Sequence, residues 1–250
     1  MTWSSLSFSH LPNLGDRMAR PDLYFDLPIE HFGEWKWHRR IPPGSDFIGG
    51  GGGVPYVNLV DLVRERPDSR IILWGTGWVY RRMDLLPAIS GITLWGSRDV
   101  GQAGADAFVP CVSCMSPYFD REYEIQRDVG AFWNPDHRFP GIELPYLFNT
   151  ADPDQIFHWL GSSETIVTNS YHGAYWGVLL RRKVIVVNPI SGKFLHFQAA
   201  MQPPVVPAAS WREAKPTICA NALDWCREQN IKFYDRVLEI VNSPKEKSRG

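Results

Sequence analysis

Residues 165–187, Thr165-Ile-Val-Thr-Asn-Ser-Tyr-His-Gly-Ala-Tyr-Trp-Gly-Val-Leu-Leu-Arg-Arg-Lys-Val-Ile-Val-Val187, admit few folds. Two β-branched runs flank a stretch too short for anything but a turn and a brief helix, so the segment reads as strand, tight turn, helix and second strand. Strands joined through a helix pair in parallel, because parallel neighbours need a crossover. His172 falls where the helix begins. The first turn of a helix offers N–H groups without intrahelical partners and the positive end of the dipole, an anion site beside which an imidazole can exchange protons. The dipole is also expected to favour the neutral ring, able to take a proton at neutral pH.

The same order recurs along the chain. Asp46-Phe-Ile48 reads as a strand, Gly49–Gly53 as a glycine turn, and Val54–Arg66 as a helix. Arg70–Trp74 and Gly91–Trp95 are further short strands, expected to end in turns at Gly75-Thr-Gly77 and Gly96-Ser-Arg-Asp99. Repeated strand, turn and helix imply parallel βαβ units, whose ligands bind at the carboxyl ends of the strands. Gly50, Gly51 and Gly52 are therefore candidates for close backbone approach to a bound group. They lack both the Gly-x-Gly-x-x-Gly order and the Lys-Ser/Thr ending of a P-loop.

Between Ala107 and Thr150 five prolines break any long element, which places a boundary or crossover there. Val129–Trp133 reads as the first strand of a second unit. Asp152-Pro153 supplies an N-cap and a first-turn proline for a helix over 154–160. Ile218–Glu228 and Phe233–Val241 read as two closing helices that pack back. The expected organisation is one Rossmann-like domain over 1–125, a second over 126–242, and a fraying tail over 243–250.

With 44% apolar and 21% charged residues the composition is that of a globular protein, and a net charge of −1 gives no global attraction to nucleic acid. No apolar run approaches the roughly 20 residues that span a bilayer, so a cytoplasmic protein is expected. Cys111 and Cys114 form the one Cys-x-x-Cys pair, and without a second close pair or a following helix they read as buried thiols rather than as a metal or redox site.

The candidate site centres on His172. Asn169 and Ser170 can cap its helix, and Gly173 leaves space beside the ring. Arg98 and Lys193 can pair with phosphate or carboxylate oxygens. Asp16, in the turn Asn13-Leu-Gly-Asp16, reads either as a base or as a cap.

Taken together, Asn13-Leu-Gly-Asp16, Ile48-Gly-Gly-Gly-Gly-Gly53, Thr168-Asn-Ser-Tyr-His-Gly173 and Leu179–Ile185 resemble, in that order, the landmarks of the polysaccharide pyruvyl transferase family. The likeness spans roughly residues 10 to 200. It implies two Rossmann-like domains arranged as in GT-B glycosyltransferases, with phosphoenolpyruvate as co-substrate and neither metal nor other cofactor. The implied acceptor is a sugar, lipid- or nucleotide-linked, and a lipid-linked one would put the protein against the inner face of the membrane through Arg39-Arg40 or Arg181–Lys183. His172 and Asp16 would be catalytic. Arg98, Lys193, Asn169, Ser170, Gly173 and Gly50–Gly52 would bind substrate. Where many members carry Arg-Leu-His this chain has Ser170-Tyr171-His172. A glycosyltransferase using a nucleotide-sugar, or a glycan-binding relative without catalysis, are the alternatives.

Overall fold

A computed structural model describes residues 2–8, 12–50, 53–54, 56–78, 90–102, 104–134, 142–189, 197 and 201–245. It divides into two units: unit 1 holds Met1–His10, Asp16–Ser113 and Arg227–Gly250, and unit 2 holds Leu11–Gly15 and Cys114–Cys226. Each is an α/β unit on its own sheet, and every described strand pairing is parallel.

In unit 1 the strands are β1 (Trp3–Ser7), β2 (Ile29–Glu34), β3 (Asp46–Gly50), β4 (Gly53–Val54), β5 (Ile71–Trp78), β6 (Leu94–Ser97) and β7 (Ala107–Phe108). They lie in the order β2-β1-β3-β5-β6-β7, with β4 beside β5. Helix α1 (Leu14–Met18) follows β1, and α2 (Tyr56–Glu65) joins β4 to β5. Leu6, Phe47, Ile71 and Leu73 from the strands pack with Leu59 and Leu62 of α2 and with Trp35.

In unit 2 the strands are β8 (Arg127–Trp133), β9 (Tyr146–Phe148), β10 (Ser163–Thr168), β11 (Lys183–Val187) and β12 (Val205–Val206), in the order β12-β11-β10-β8-β9. Helix α3 (Pro153–Gly161) leads into β10, and α4 (Tyr171–Leu179) joins β10 to β11. Asp152 caps α3, its side chain accepting from the Asp154 amide at 2.9 Å. From His172 to Leu179 every residue of α4 is buried, as expected of a helix apolar all round.

Counted in chain order, and setting the two-residue β4 aside, both sheets run second, first, third, fourth, fifth, with β7 a sixth strand in unit 1. This is a doubly wound order whose direction reverses between the first and third strands. In unit 2 the reversal lies between β8 and β10, so the loops at Asn134 and at Asn169–His172 flank the position where such sheets open a crevice.

Several expectations need correction. The Gly75–Gly77 turn is instead part of β5, where Gly75 at φ +60 and a register shift between Trp74 and Thr76 form an irregularity inside the strand. The two closing helices are one helix, α5 (Ala222–Asn242). No glycine or proline interrupts 229–232, and buried Asn230 is satisfied, accepting from Trp74 Nε1 at 2.8 Å and donating to the Pro110 carbonyl at 3.2 Å. The start of the tail is anchored: Arg70 Nη1 donates to the carbonyls of Ile240 and Ser243, and Lys245 pairs with Asp46 at 2.9 Å.

Candidate functional site

Four of the five strands of unit 2 are followed at once by asparagine: Asn134 after β8, Asn149 after β9, Asn169 after β10 and Asn188 after β11. The parallel register sets these ends side by side, Trp133 opposite Phe148 and Phe132 opposite Thr168. The last amides and carbonyls of each strand need partners there, and a short amide side chain can provide them. Asn169 Oδ1 accepts from the Asn134 amide at 2.9 Å, bracing β10 to β8 at the reversal point. Asn188 adopts a left-handed conformation, φ 39, and its Oδ1 accepts from Ala208 N at 3.0 Å.

The chain leaves β10 through Thr168, whose hydroxyl donates to the Phe132 carbonyl at 2.5 Å and accepts from the Ser170 amide at 2.9 Å. Ser170 is the N-cap of α4, its Oγ accepting from the Gly173 amide at 3.4 Å. Arginine has no acceptor and could not cap the helix here, so the serine serves the helix. Gly173 does not open space for a ligand as expected. A Cβ there would meet Phe132 and Thr168 Oγ1 at 2.5 Å each, so the missing side chain lets α4 settle on the strand ends.

His172 is 5% exposed. Its ring lies edge-on to Tyr171 at 5.3 Å between centroids and tilted against Trp176 at 5.0 Å. A further neighbour comes from far away in sequence. A Cβ built on Gly15 would fall 1.9 Å from His172 Nδ1 and 2.4 Å from Cγ and Cε1, so the imidazole rests directly on the Gly15 backbone. Two landmarks separated by more than 150 residues thus meet within unit 2. Asn13 holds this turn, its Oδ1 accepting from the Gly15 amide at 2.9 Å and from Asn149 Nδ2 at 2.7 Å, while Leu14 N donates to the Asn149 carbonyl at 3.0 Å. The cap of α1 is therefore Asn13. Asp16 lies inside that helix, half-buried, and belongs to unit 1.

Arg98 and Asp99 also belong to unit 1, directly after β6, and are 3% and 6% exposed. Both side chains border Gly77, whose added Cβ would meet Arg98 Nε at 2.6 Å and Asp99 Oδ2 at 3.0 Å. Burial pushes the nearby Cys111 thiol up, against the opposing pull of Arg98, so it stays a protonated thiol. Gly50 ends β3 against its own chain, where a Cβ would meet Pro21 at 2.4 Å and the Ala19 carbonyl oxygen at 2.5 Å. Gly51, Gly52 and Lys193 lie outside the described residues.

The basic clusters are engaged by their own chain. Arg39 bonds Glu65, holding that carboxyl down at about 2. Arg182 donates to the Tyr123 carbonyl, and Lys183 pairs with Glu164. Among the described residues no helix is long and apolar enough to cross a membrane, and no group of three or more His, Cys, Asp or Glu is placed to hold a metal ion.

The residues that the sequence reading did not single out are Asn149, Asn134 and Trp176. The signal for the asparagines is the repeated apolar-run-then-Asn ending, legible once the strands are aligned. Compared with known proteins, the chain matches no family model and no curated protein.

Proposed function

We propose that this chain is a pyruvyl transferase that moves the enolpyruvyl carbon of phosphoenolpyruvate onto two hydroxyls of a sugar, in the building of a surface or extracellular polysaccharide. The observation that carries the reading is the seating of His172 on the Gly15 backbone, where the Asn-x-Gly-Asp turn and the histidine helix come together. Each alone is a weak motif; their convergence on one imidazole is what a proton-transfer site requires. The two Rossmann-like units are the parts from which a GT-B-like enzyme is made.

In this reading His172 exchanges the proton of the attacking sugar hydroxyl. Protonation of the methylene carbon makes C2 of the donor electrophilic, one hydroxyl adds there, and a second displaces phosphate, closing the ketal. Atoms balance without water: the sugar gains pyruvic acid less one water, and inorganic phosphate leaves.

The test is phosphate release from phosphoenolpyruvate with a panel of nucleotide- and lipid-linked sugars. Acceptor-dependent release in wild type, reduced by about two to four powers of ten in His172→Ala, is expected. Equal turnover in the variant would remove His172 from the chemistry. Ser170 as a helix cap in place of the family's arginine favours one other reading, a glycan-binding relative without transfer. Calorimetry showing glycan binding and no response to phosphoenolpyruvate would select it.

A further inference from the structure

Asn149 is 1% exposed and sits in the contact network that holds the Asn13–Gly15 turn on His172. The network fixes which way its amide points. The Gly15 N–H can only donate, so the Asn13 atom it reaches is Oδ1, and the Asn149 atom 2.7 Å from that oxygen must be the donor, Nδ2. Three of the four polar groups of Asn149 are then paired: Nδ2 with Asn13, its amide with the Trp133 carbonyl at 3.2 Å, and its carbonyl with Leu14 N at 3.0 Å. The fourth, Oδ1, is buried with no hydrogen-bond partner among the described residues. A desolvated acceptor left unpaired is costly, and native chains keep very few of them.

We infer that Asn149 Oδ1 is the binding group for a hydroxyl of the sugar acceptor, and that it distinguishes acceptor from donor at the His172 site. The inference rests on the proposed transfer reaction for the identity of the two substrates. An amide oxygen can only accept. Ionised phosphate and carboxylate are also acceptors, so phosphoenolpyruvate has nothing to offer this atom, whereas each sugar hydroxyl carries a donor. The groups bonded to Asn149 are neutral, which favours a neutral hydroxyl over an ammonium. Asn149 thereby binds the molecule whose proton His172 removes.

Three variants separate this role from simple support of the turn. Asn149→Ala removes both ends of the amide. Asn149→Asp keeps an acceptor at Oδ1 and breaks the bond to Asn13. Asn13→Ala breaks the same bond and leaves Asn149 Oδ1 in place. In the phosphate-release assay Asn149→Ala should raise the acceptor KM roughly 3- to 10-fold, the worth of one neutral hydrogen bond. The KM for phosphoenolpyruvate should stay unchanged, and the acceptor KM should rise less in Asn149→Asp and Asn13→Ala, which keep an acceptor at Oδ1, than in Asn149→Ala. Parallel changes in all three would assign Asn149 to support of the turn and overturn the inference.

Saturation-transfer NMR with methyl glycosides of glucose, galactose and mannose, and their monodeoxy derivatives, needs no donor. One hydroxyl whose removal weakens binding to wild type but not to Asn149→Ala is expected. If no single hydroxyl matters, or none of these sugars binds, the inference falls. Asn149-dependent sugar binding without any phosphate release would instead sustain the inference and defeat pyruvyl transfer. Normal turnover with an unchanged acceptor KM in Asn149→Ala would do the reverse.

Discussion

Substituting Gly15 by alanine sets two opposed effects against each other. In the first turn of α1 the change should by itself stabilise by about 0.5–1 kcal/mol, through the lower backbone entropy of alanine in the unfolded chain. The new Cβ, however, falls 1.9 Å from His172 Nδ1. Non-bonded heavy atoms need about 3.5 Å, so the ring must retreat by roughly 1.5 Å. It has Trp176 and Tyr171 against it and is 5% exposed, so retreat meets other side chains. Overpacking of this kind costs about 1–3 kcal/mol. The net expectation is destabilisation by about 1–2 kcal/mol, read as a fall of about 2–6 °C in the melting temperature. If His172 carries the proposed proton transfer, turnover should also drop by about two powers of ten, since displacement of a reacting group by an ångström is sufficient for that. In a His172→Ala background the obstruction is gone, and Gly15→Ala should become neutral or stabilising. If Gly15→Ala stabilises the wild type as much as the His172→Ala variant, the imidazole does not rest on Gly15.

Two further outcomes concern unit 1. Burial would raise the Asp46 carboxyl, but hydrogen bonds from Lys245 and Arg70 outweigh it and hold the group below its ordinary value. A depressed folded value means stability present above the unfolded carboxylate value of about 3.9 and lost as pH falls through the folded one. Asp46→Asn should therefore cost about 3 kcal/mol at neutral pH, and the gap to wild type should narrow in denaturant titrations below about pH 4; a constant gap would contradict the assignment. Asn230→Leu strands the Trp74 indole N–H and the Pro110 carbonyl, at about 1–3 kcal/mol for each group, and urea unfolding would read the loss.

The second unit was the more legible in sequence, for identifiable reasons. Thr165–Val187 carries β-branched runs buried on both faces and a clean cap at Ser170, so pattern and structure agree within two residues. Asp152-Pro153 marked α3 by local chemistry alone. By contrast β1, Trp-Ser-Ser-Leu-Ser, is fully buried yet reads as polar, because small serines fill the tight space of a central parallel strand. Burial of β2 on alternate residues only, with Phe32 exposed, likewise gave no continuous apolar run. The stretch left between the two expected closing helices is helical, and buried Asn230 within it pairs with Trp74 and Pro110, which are remote in sequence. In the site, His172 and Ser170 could be found from local spacing. The roles of Gly15 and Asn149 could not, since each is defined by a neighbour that only the folded chain brings near. Gly173 and Gly50 were read as space for a ligand, and that space is occupied by Phe132, Thr168, Pro21 and Ala19.

The most direct measurement is mass spectrometry of the sugar after incubation of the protein with phosphoenolpyruvate and the acceptor panel, wild type beside His172→Ala. The account predicts one acceptor that gains pyruvic acid less one water with wild type and is unchanged with the variant. A sugar that gains a hexose from a nucleotide-sugar, or a ketal formed equally well without His172, would contradict it.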